Sequence, residues 1–362
     1  SNPPMFHKHI DLCKVRGISF KGCEFSIPSM PKDYISLWSC GIAAYDAGFT
    51  VDGICQDVVY PCTRYEKSKF KHFFNAILVD NPIESPYTFT VKNTEFINNA
   101  YGIFARNADF ATVLYSTFRV GKHCNLLCSG GIYLDGISHF KIEENDFRNN
   151  TSVEDIHTFG VIVSNSGASN TVYRNSFSGL KCGNLAFGVN HQSNNDAIGL
   201  VFSCNNNTEN GYDFFVLKDP NLSGGNNNGP QQSQGDLSLS SGNTFSPTAD
   251  YHFYNDGNFD IDYFYYNIGN EIPDNNKLYK VARHDAPAND CASNYGTDPQ
   301  LVLPSVERQQ RETDYYNAYA TYNNIKTLYE SRVDGGNTSG TLTDLENASP
   351  EDMWQLRARL LG

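Results

Sequence analysis

The sequence predicts an all-β solenoid, a parallel β-helix with a short α-helical tail. Two patterns predict it: a repeat of about 29 residues, and period-two alternation inside each repeat. Four segments align: Gly102-Ile-Phe-Ala to Phe118, Gly131-Ile-Tyr-Leu to Phe147, Gly160-Val-Ile-Val to Phe177, and Gly188-Val-Asn-His to Cys204. Their leading glycines lie 29, 29 and 28 residues apart, and the closing residue follows after 16, 16, 17 and 16. Ala76-Ile-Leu-Val to Phe96 is a looser copy, and Gly41-Ile-Ala-Ala to Cys55 looser still. Asp236-Leu-Ser-Leu to Phe245 reads as a further half-copy.

Within the copies the apolar residues keep one register. Phe89 and Val91, Ala111 and Val113, and Phe140 and Ile142 each stand seven and five residues before the closing Phe. Alternation of this kind marks half-buried strands. Asn145, Asn175 and Asn243 stand two residues before an aromatic closing position, where an Asn can turn the chain and bond its copy in the next coil. A unit of 29 residues without a helix cannot close a core alone. Stacking identical turns closes it, each strand pairing in parallel with its equivalent one coil away. Leucine-rich and ankyrin repeats have similar periods but need a Leu consensus or two helices per unit.

The segment Gly131-Ile-Tyr-Leu-Asp-Gly-Ile-Ser-His-Phe-Lys-Ile-Glu-Glu-Asn-Asp-Phe147 resembles the right-handed β-helix repeats of the pectin-lyase-like superfamily. The resemblance covers about residues 12–270. It implies a right-handed solenoid of three parallel sheets, often used to hold polysaccharide along one face. The run Trp354-Gln-Leu-Arg-Ala-Arg-Leu-Leu361 is similar to a segment of large secreted surface proteins of the Bacteroidetes.

Composition agrees. The chain has 362 residues, 27 Lys+Arg against 40 Asp+Glu and a net charge of −13. That balance argues against nucleic acid and against an anionic membrane surface. No run has the roughly 18 apolar residues of a membrane helix, so no membrane insertion is expected. The 40 Asn and 29 Gly suit many tight turns. Ten Cys contain no CxxC pair. Cys124 and Cys128, beside His123, lack the second pair a metal site needs, so the set reads as buried thiols with one or two disulfides.

Four regions follow. Residues 1–11 are a lead, with Ser1-Asn2-Pro3 read as a cloning scar; residues 12–270 are the β-helix; 271–304 are a linker; 305–362 are a helical tail expected to be truncated. Tyr315, Tyr319, Tyr322, Ile325 and Tyr329 recur at helical spacing. Gly335-Gly336 is expected to end that helix, and Ser349-Pro350-Glu351-Asp352 to start another. The aromatic segment 251–266 reads as a final coil, with a sugar platform as the alternative.

The sites are less legible. Polygalacturonase-type β-helices carry Asn-x-Asp, Asp-Asp, Gly-His-Gly and Arg-x-Lys; the last three are missing, so no catalytic residue is carried over. His139, Lys141 and Glu143 alternate with Phe140 and Ile142, which turns all three outward as a base-and-acid cluster. The plainer reading is a solvated strand face. Phe110, His139, Lys141 and Tyr173 fall in one register on successive coils and are the expected ligand-binding residues. Glu154-Asp155-x-His157 reads first as a hydrophilic loop, with metal ligation as the alternative, and Lys122-His123 is weaker. No metal site or cofactor is assigned, and Ca²⁺ is the cation that a lyase would use. The expected function is a non-catalytic structural or adhesin-like segment, with a polysaccharide or cell-surface glycan as partner. It would belong to a larger secreted or cell-surface protein. The alternative is a polysaccharide-active enzyme of the uronate-lyase type.

Overall fold

Strands of three or four residues hold only when paired on both sides, and this chain pairs nearly all of them in parallel. The computed structural model describes residues 7–27, 39–57, 62–83, 85–121, 128–151, 157–167, 169–192, 195–221 and 228–294. In the tail it describes 320–322, 324–327, 338–347 and 349. The chain winds as a right-handed parallel β-helix. The first sheet has ten strands, running in order from His7–Cys13 to Leu278–Tyr279. The second runs from Ile18–Lys21 through Lys141–Glu143 to Asn195–Ser203, where an antiparallel strand joins. The third runs from Glu24–Ser26 to Asn206–Thr208. A three-stranded sheet of Ser233–Gln234, Ile261–Tyr266 and Val281–Ala286 carries the coils onward. Among the described residues, strands thus run from His7 to Ala286, beyond both expected limits of the solenoid. His7–Cys13 alternates too weakly to signal a strand, with Ile10 and Leu12 as its main apolar residues.

The repeat register is a packing register. Phe25, Phe70, Phe96, Phe118, Phe147 and Phe177 stack in one inward column, with ring centroids 4.6 to 5.3 Å apart and planes within 13°. That spacing is the distance between paired strands. Four of these rings also meet the glycine that opens their own coil. A Cβ on Gly102 would lie 2.8 Å from Phe118 Cδ1, one on Gly131 2.6 Å from Phe147 Cδ1, and one on Gly160 2.5 Å from Phe177 Cδ1. The same relation holds between Gly41 and Phe70, across an inserted loop. Phe89, Val91, Ala111, Val113, Phe140 and Ile142 are all buried, as their alternation predicts.

A second ladder closes the turn between sheets two and three. Asn145 N donates to Asn175 Oδ1 at 2.9 Å, Asn175 N to Asn205 Oδ1 at 3.0 Å, and Asn205 N to Asn243 Oδ1 at 2.9 Å. Their Nδ2 groups donate to the carbonyls of Val113, Ile142, Val172 and Phe202. All four are buried, so each satisfies backbone groups that water cannot reach.

Two sequence alignments shift. The fourth copy opens at Gly183, not Gly188, because Phe159 pairs with Cys182 and Val161 with Asn184. Its closing position is then Asn207, paired with Phe177, while Cys204 lies in the preceding turn. The unit is six residues shorter at its start than its neighbours, which disguised the register. Asp236–Leu239 is an exposed turn, with Leu237 78 % exposed, although Phe245 does follow Asn207 in the inner column.

The residues from Gln300 onward form a separate compact unit. Residues 320–322 and 324–327 are helical, as the tyrosine spacing predicts, and a further helix spans Thr338–Asn347. That helix follows Gly335-Gly336 and was not expected, since Thr, Ser and Gly supply half of it. The Ser349-Pro350 start and the Trp354–Leu361 run lie outside the described residues.

Phe147 is fully buried between two stacked rings and a glycine. Replacing it by Ala should cost roughly 3–5 kcal/mol in urea denaturation, the range for deleting a buried Phe. A loss below about 0.5 kcal/mol would mean that the ladder does not carry the core.

Candidate functional site

The outer face of the second sheet holds the residues expected to bind ligand, and the structure leaves only part of that face open. Phe110 and His139 occupy equivalent left-handed turn positions, φ 60° and 57°, just before their strands. Their rings stack, centroids 4.9 Å apart and planes 15° from parallel, and both are exposed. Lys141 is exposed next to them, between Thr112 and Thr171 in register. Glu143 points outward as expected but is 2 % exposed. A segment around Cys291 crosses over it. Asn294 Nδ2 donates to Glu143 Oε2 at 3.0 Å, Ser293 Oγ donates to Glu144, and Arg174 donates to the Cys291 carbonyl. Tyr173 spends its hydroxyl on the Ala292 carbonyl at 2.6 Å. The Cys204–Cys291 disulfide ties this strap to the turn beneath it.

The expected array is therefore divided. Phe110, His139 and Lys141 share an open patch; Glu143 and Tyr173 sit at or under the strap. Burial pushes the Glu143 acid above the usual carboxylate range, against the hydrogen bond from Asn294. The strap lies in the segment 271–304 read as a linker, which gave no sign that it would fold back across about 150 residues. Of the second cluster, Glu154 and Asp155 lie outside the described residues, as do Lys122 and His123; His157 is exposed.

A larger feature runs along the outer face of the first sheet. Register puts Phe104, Tyr133, Ile162, Leu185, Phe215, Tyr254 and Tyr279 in one outward column on successive coils. Tyr101, Phe159, Cys182, Tyr212 and Tyr251 form a second column beside it. Phe104 and Tyr133 stack at 4.8 Å, Tyr212 and Tyr251 at 5.8 Å, and Tyr254 and Tyr279 at 4.8 Å. Tyr101 on Tyr133 and Tyr251 on Tyr254 stand nearly perpendicular, which makes the surface corrugated. Charged groups border it. Lys181 Nζ lies 5.3 Å over the Tyr212 ring and 3.7 Å from Asp250, and Arg106 lies over Phe104 and pairs with Asp80 at 3.4 Å. A strand face that is apolar on both sides, lined with half-buried rings, is a surface suited to a partner.

Sequence reasoning missed this stripe, and its signal is complete only in the register that opens the fourth copy at Gly183. The residue two after the opening position is apolar in every copy: Ala43, Leu78, Phe104, Tyr133, Ile162, Leu185. Alternation alone assigns that position to solvent, where such residues need a reason.

Near the C-terminal coils Asp213, Ser246 and His252 meet in the interior with the composition of a hydrolase triad. Their bonding is different. Ser246 Oγ donates to Asp213 Oδ1 at 2.6 Å and its N–H to Asp213 Oδ2 at 2.8 Å. His252 Nε2 donates to the Ser246 carbonyl at 3.1 Å while its Nδ1 accepts from Asp274 N at 3.1 Å. The histidine bonds the Ser246 carbonyl and not its hydroxyl, so the serine–histidine contact of a triad is not formed. The histidine is bonded as the neutral ring.

No protein-family model, curated protein or solved structure matches this chain.

The buried pair generates opposing pH dependences. Burial lifts the Asp213 acid to about 6, and burial lowers the His252 pKa to about 4. A raised acid stabilises the fold below its unfolded pKa and loses that contribution as pH rises through 6. A lowered histidine stabilises above its unfolded pKa and loses that contribution as pH falls through 4. The two largely cancel in the native protein. Relative to wild type, Asp213→Asn should gain roughly 3 kcal/mol between pH 4 and 6.5, and His252→Gln should lose roughly as much. Urea denaturation across that window checks this; variant curves parallel to wild type would contradict it.

Proposed function

We propose that this chain is a non-catalytic, adhesin-like β-helix of the pectin-lyase-like kind, holding an extended glycan along the outer face of its first sheet. The observation that supports this most is the pair of outward apolar columns from Tyr101 to Tyr279, which carries at least one ring on every coil except that of Cys182 and Leu185. Aromatic faces cover the apolar C–H faces of sugar rings, and bordering Lys, Arg and Asp side chains can bond hydroxyls. Strand spacing of about 4.8 Å gives a linear polymer a regular set of contacts. The resemblance of the repeats to polysaccharide-holding β-helices points the same way. So does the net charge of −13, which favours neutral or weakly charged glycans on this face.

We place the chain in a larger secreted or cell-surface protein, like those of the Bacteroidetes that its C-terminal run resembles. The Cys55–Cys62 and Cys204–Cys291 disulfides support an oxidising compartment. Against the lyase alternative, the acid of the His139–Lys141–Glu143 cluster is buried under the strap and bonded to Asn294. The Phe110–His139–Lys141 patch supports a second, smaller contact, because Phe110 is 62 % exposed and stacked.

A glycan array followed by calorimetry tests this. Tyr251→Ala with Tyr254→Ala should weaken binding about thirtyfold, from two lost contacts of roughly 1 kcal/mol each. Phe110→Ala with Lys141→Ala should change it less than about threefold. The reverse pattern moves the site to the second sheet, and no glycan binding leaves a structural role alone. Unsaturated product from uronate polymers, abolished by Lys141→Ala, would establish the lyase.

A further inference from the structure

The outer face of the third sheet concentrates positive charge in a chain that is otherwise acidic. A cavity of about 290 Å³ lies there, lined by Lys67, Glu95, Thr117, Arg119, Asp146 and Arg148. Three cations therefore face two carboxylates, while the whole chain carries −13. Register explains the cluster. Glu95, Thr117 and Asp146 are paired on successive coils, and Arg119 pairs with Arg148 beside them.

The two arginines are partly committed. Arg119 Nε lies 2.8 Å from Glu95 Oε1 and Arg148 Nε 2.7 Å from Asp146 Oδ2. Each uses one of its five N–H donors there, leaving its terminal amino groups. Lys67 is different. It precedes the strand Ser68–Lys71 and reaches over the Thr94–Ile97 coil to Thr117, two strand spacings or about 10 Å away. Its Nζ donates to Thr117 Oγ1 at 2.9 Å, and among the described residues no carboxylate lies within 4.0 Å of it. The side chain is half-buried; that burial lowers its pKa, while the charges of Glu95 and Asp146, both beyond contact distance, act the other way. An ammonium has three donors, and one is used. Removing a cation from water without a contacting anion is unfavourable, so this position is stabilised by whatever anion enters the cavity.

We propose that this cavity binds a small oxyanion, a sulfate or carboxylate group, with Lys67 as the central donor and Arg119 and Arg148 at its flanks. The site is independent of the aromatic stripe. It would give the solenoid a further contact, selective for the acidic substituents of a glycan that the stripe itself does not select.

Calorimetric titration at low ionic strength tests it, with sodium sulfate, sodium acetate and a sulfated disaccharide as separate probes. Wild type should bind sulfate or acetate. Lys67→Met keeps the unbranched stem but removes the charge, and should weaken binding about tenfold or more. Lys67→Arg should restore most of it, which a merely structural lysine would not require. Arg148→Gln, at an exposed position that cannot unfold the core, should weaken it several-fold. Tyr251→Ala with Tyr254→Ala should leave it unchanged, separating this site from the glycan face. Tighter binding of the disaccharide than of inorganic sulfate identifies a glycan-borne anion; equal binding identifies the free ion. Equal affinity in wild type and Lys67→Met, or no binding of any probe by wild type, overturns the proposal.

Discussion

The contact between each opening glycine and the phenylalanine that closes the same coil sets the cross-section of this solenoid. Gly102, Gly131 and Gly160 lie within their strands without left-handed backbone, so conformational freedom does not explain them. Space does. A side chain there would collide with the ring of Phe118, Phe147 or Phe177 and with the carbonyl of the next coil. Once the ring is seated, its faces are free to stack on the rings above and below. Where the ring is lost the environment changes with it: in the Gly183 coil the closing residue is Asn207, whose Oδ1 takes the space near the glycine and whose Nδ2 bonds Thr244 O. In the third coil Ala76 opens and Phe96 closes, and its ring lies 5.3 Å from that of Phe70.

The turns supply what the ladder cannot. Asn93, Tyr115, Glu144, Arg174 and Cys204 all adopt positive φ at the same corner, a conformation costly for Tyr and Arg. At Glu144, Arg174 and Cys204 a ladder asparagine on the next residue holds that corner, since it bonds the coils before and after its own; Thr94 and Ser116 stand in that place after Asn93 and Tyr115. The strained side chains point outward and become anchors. Glu144, Arg174 and Cys204 are the residues that the strap around Cys291 binds or bridges. The strap on the outer surface is therefore anchored on side chains whose backbone is fixed by interior asparagines.

Much of this was legible in the sequence because the coil is nearly constant in length. The spacing of Gly131 to Phe147 and the two-residue step from Asn145 to Phe147 are physical distances around one turn, so they appear directly as periods. Legibility ended where the coil length varied, as at Gly183, and where the contact was long-range. Nothing near Glu143 announces Asn294, and no local pattern ties Cys204 to Cys291. The aromatic stripe was hidden for another reason. Alternation distinguishes inside from outside only when the outside is polar, and the first sheet is apolar on both faces.

The three outer faces consequently differ in chemistry although one repeat builds them. The first is aromatic, the second is partly closed by a tethered strap, and the third is a ladder of charges. All three presuppose that the interior register is set by glycine and ring together. A double-mutant cycle on Gly160→Ala and Phe177→Ala measures that directly. The glycine substitution should cost roughly 1–3 kcal/mol in the native protein and at least about 1 kcal/mol less once the ring is gone. Additive costs, with no coupling between the two positions, would contradict the account.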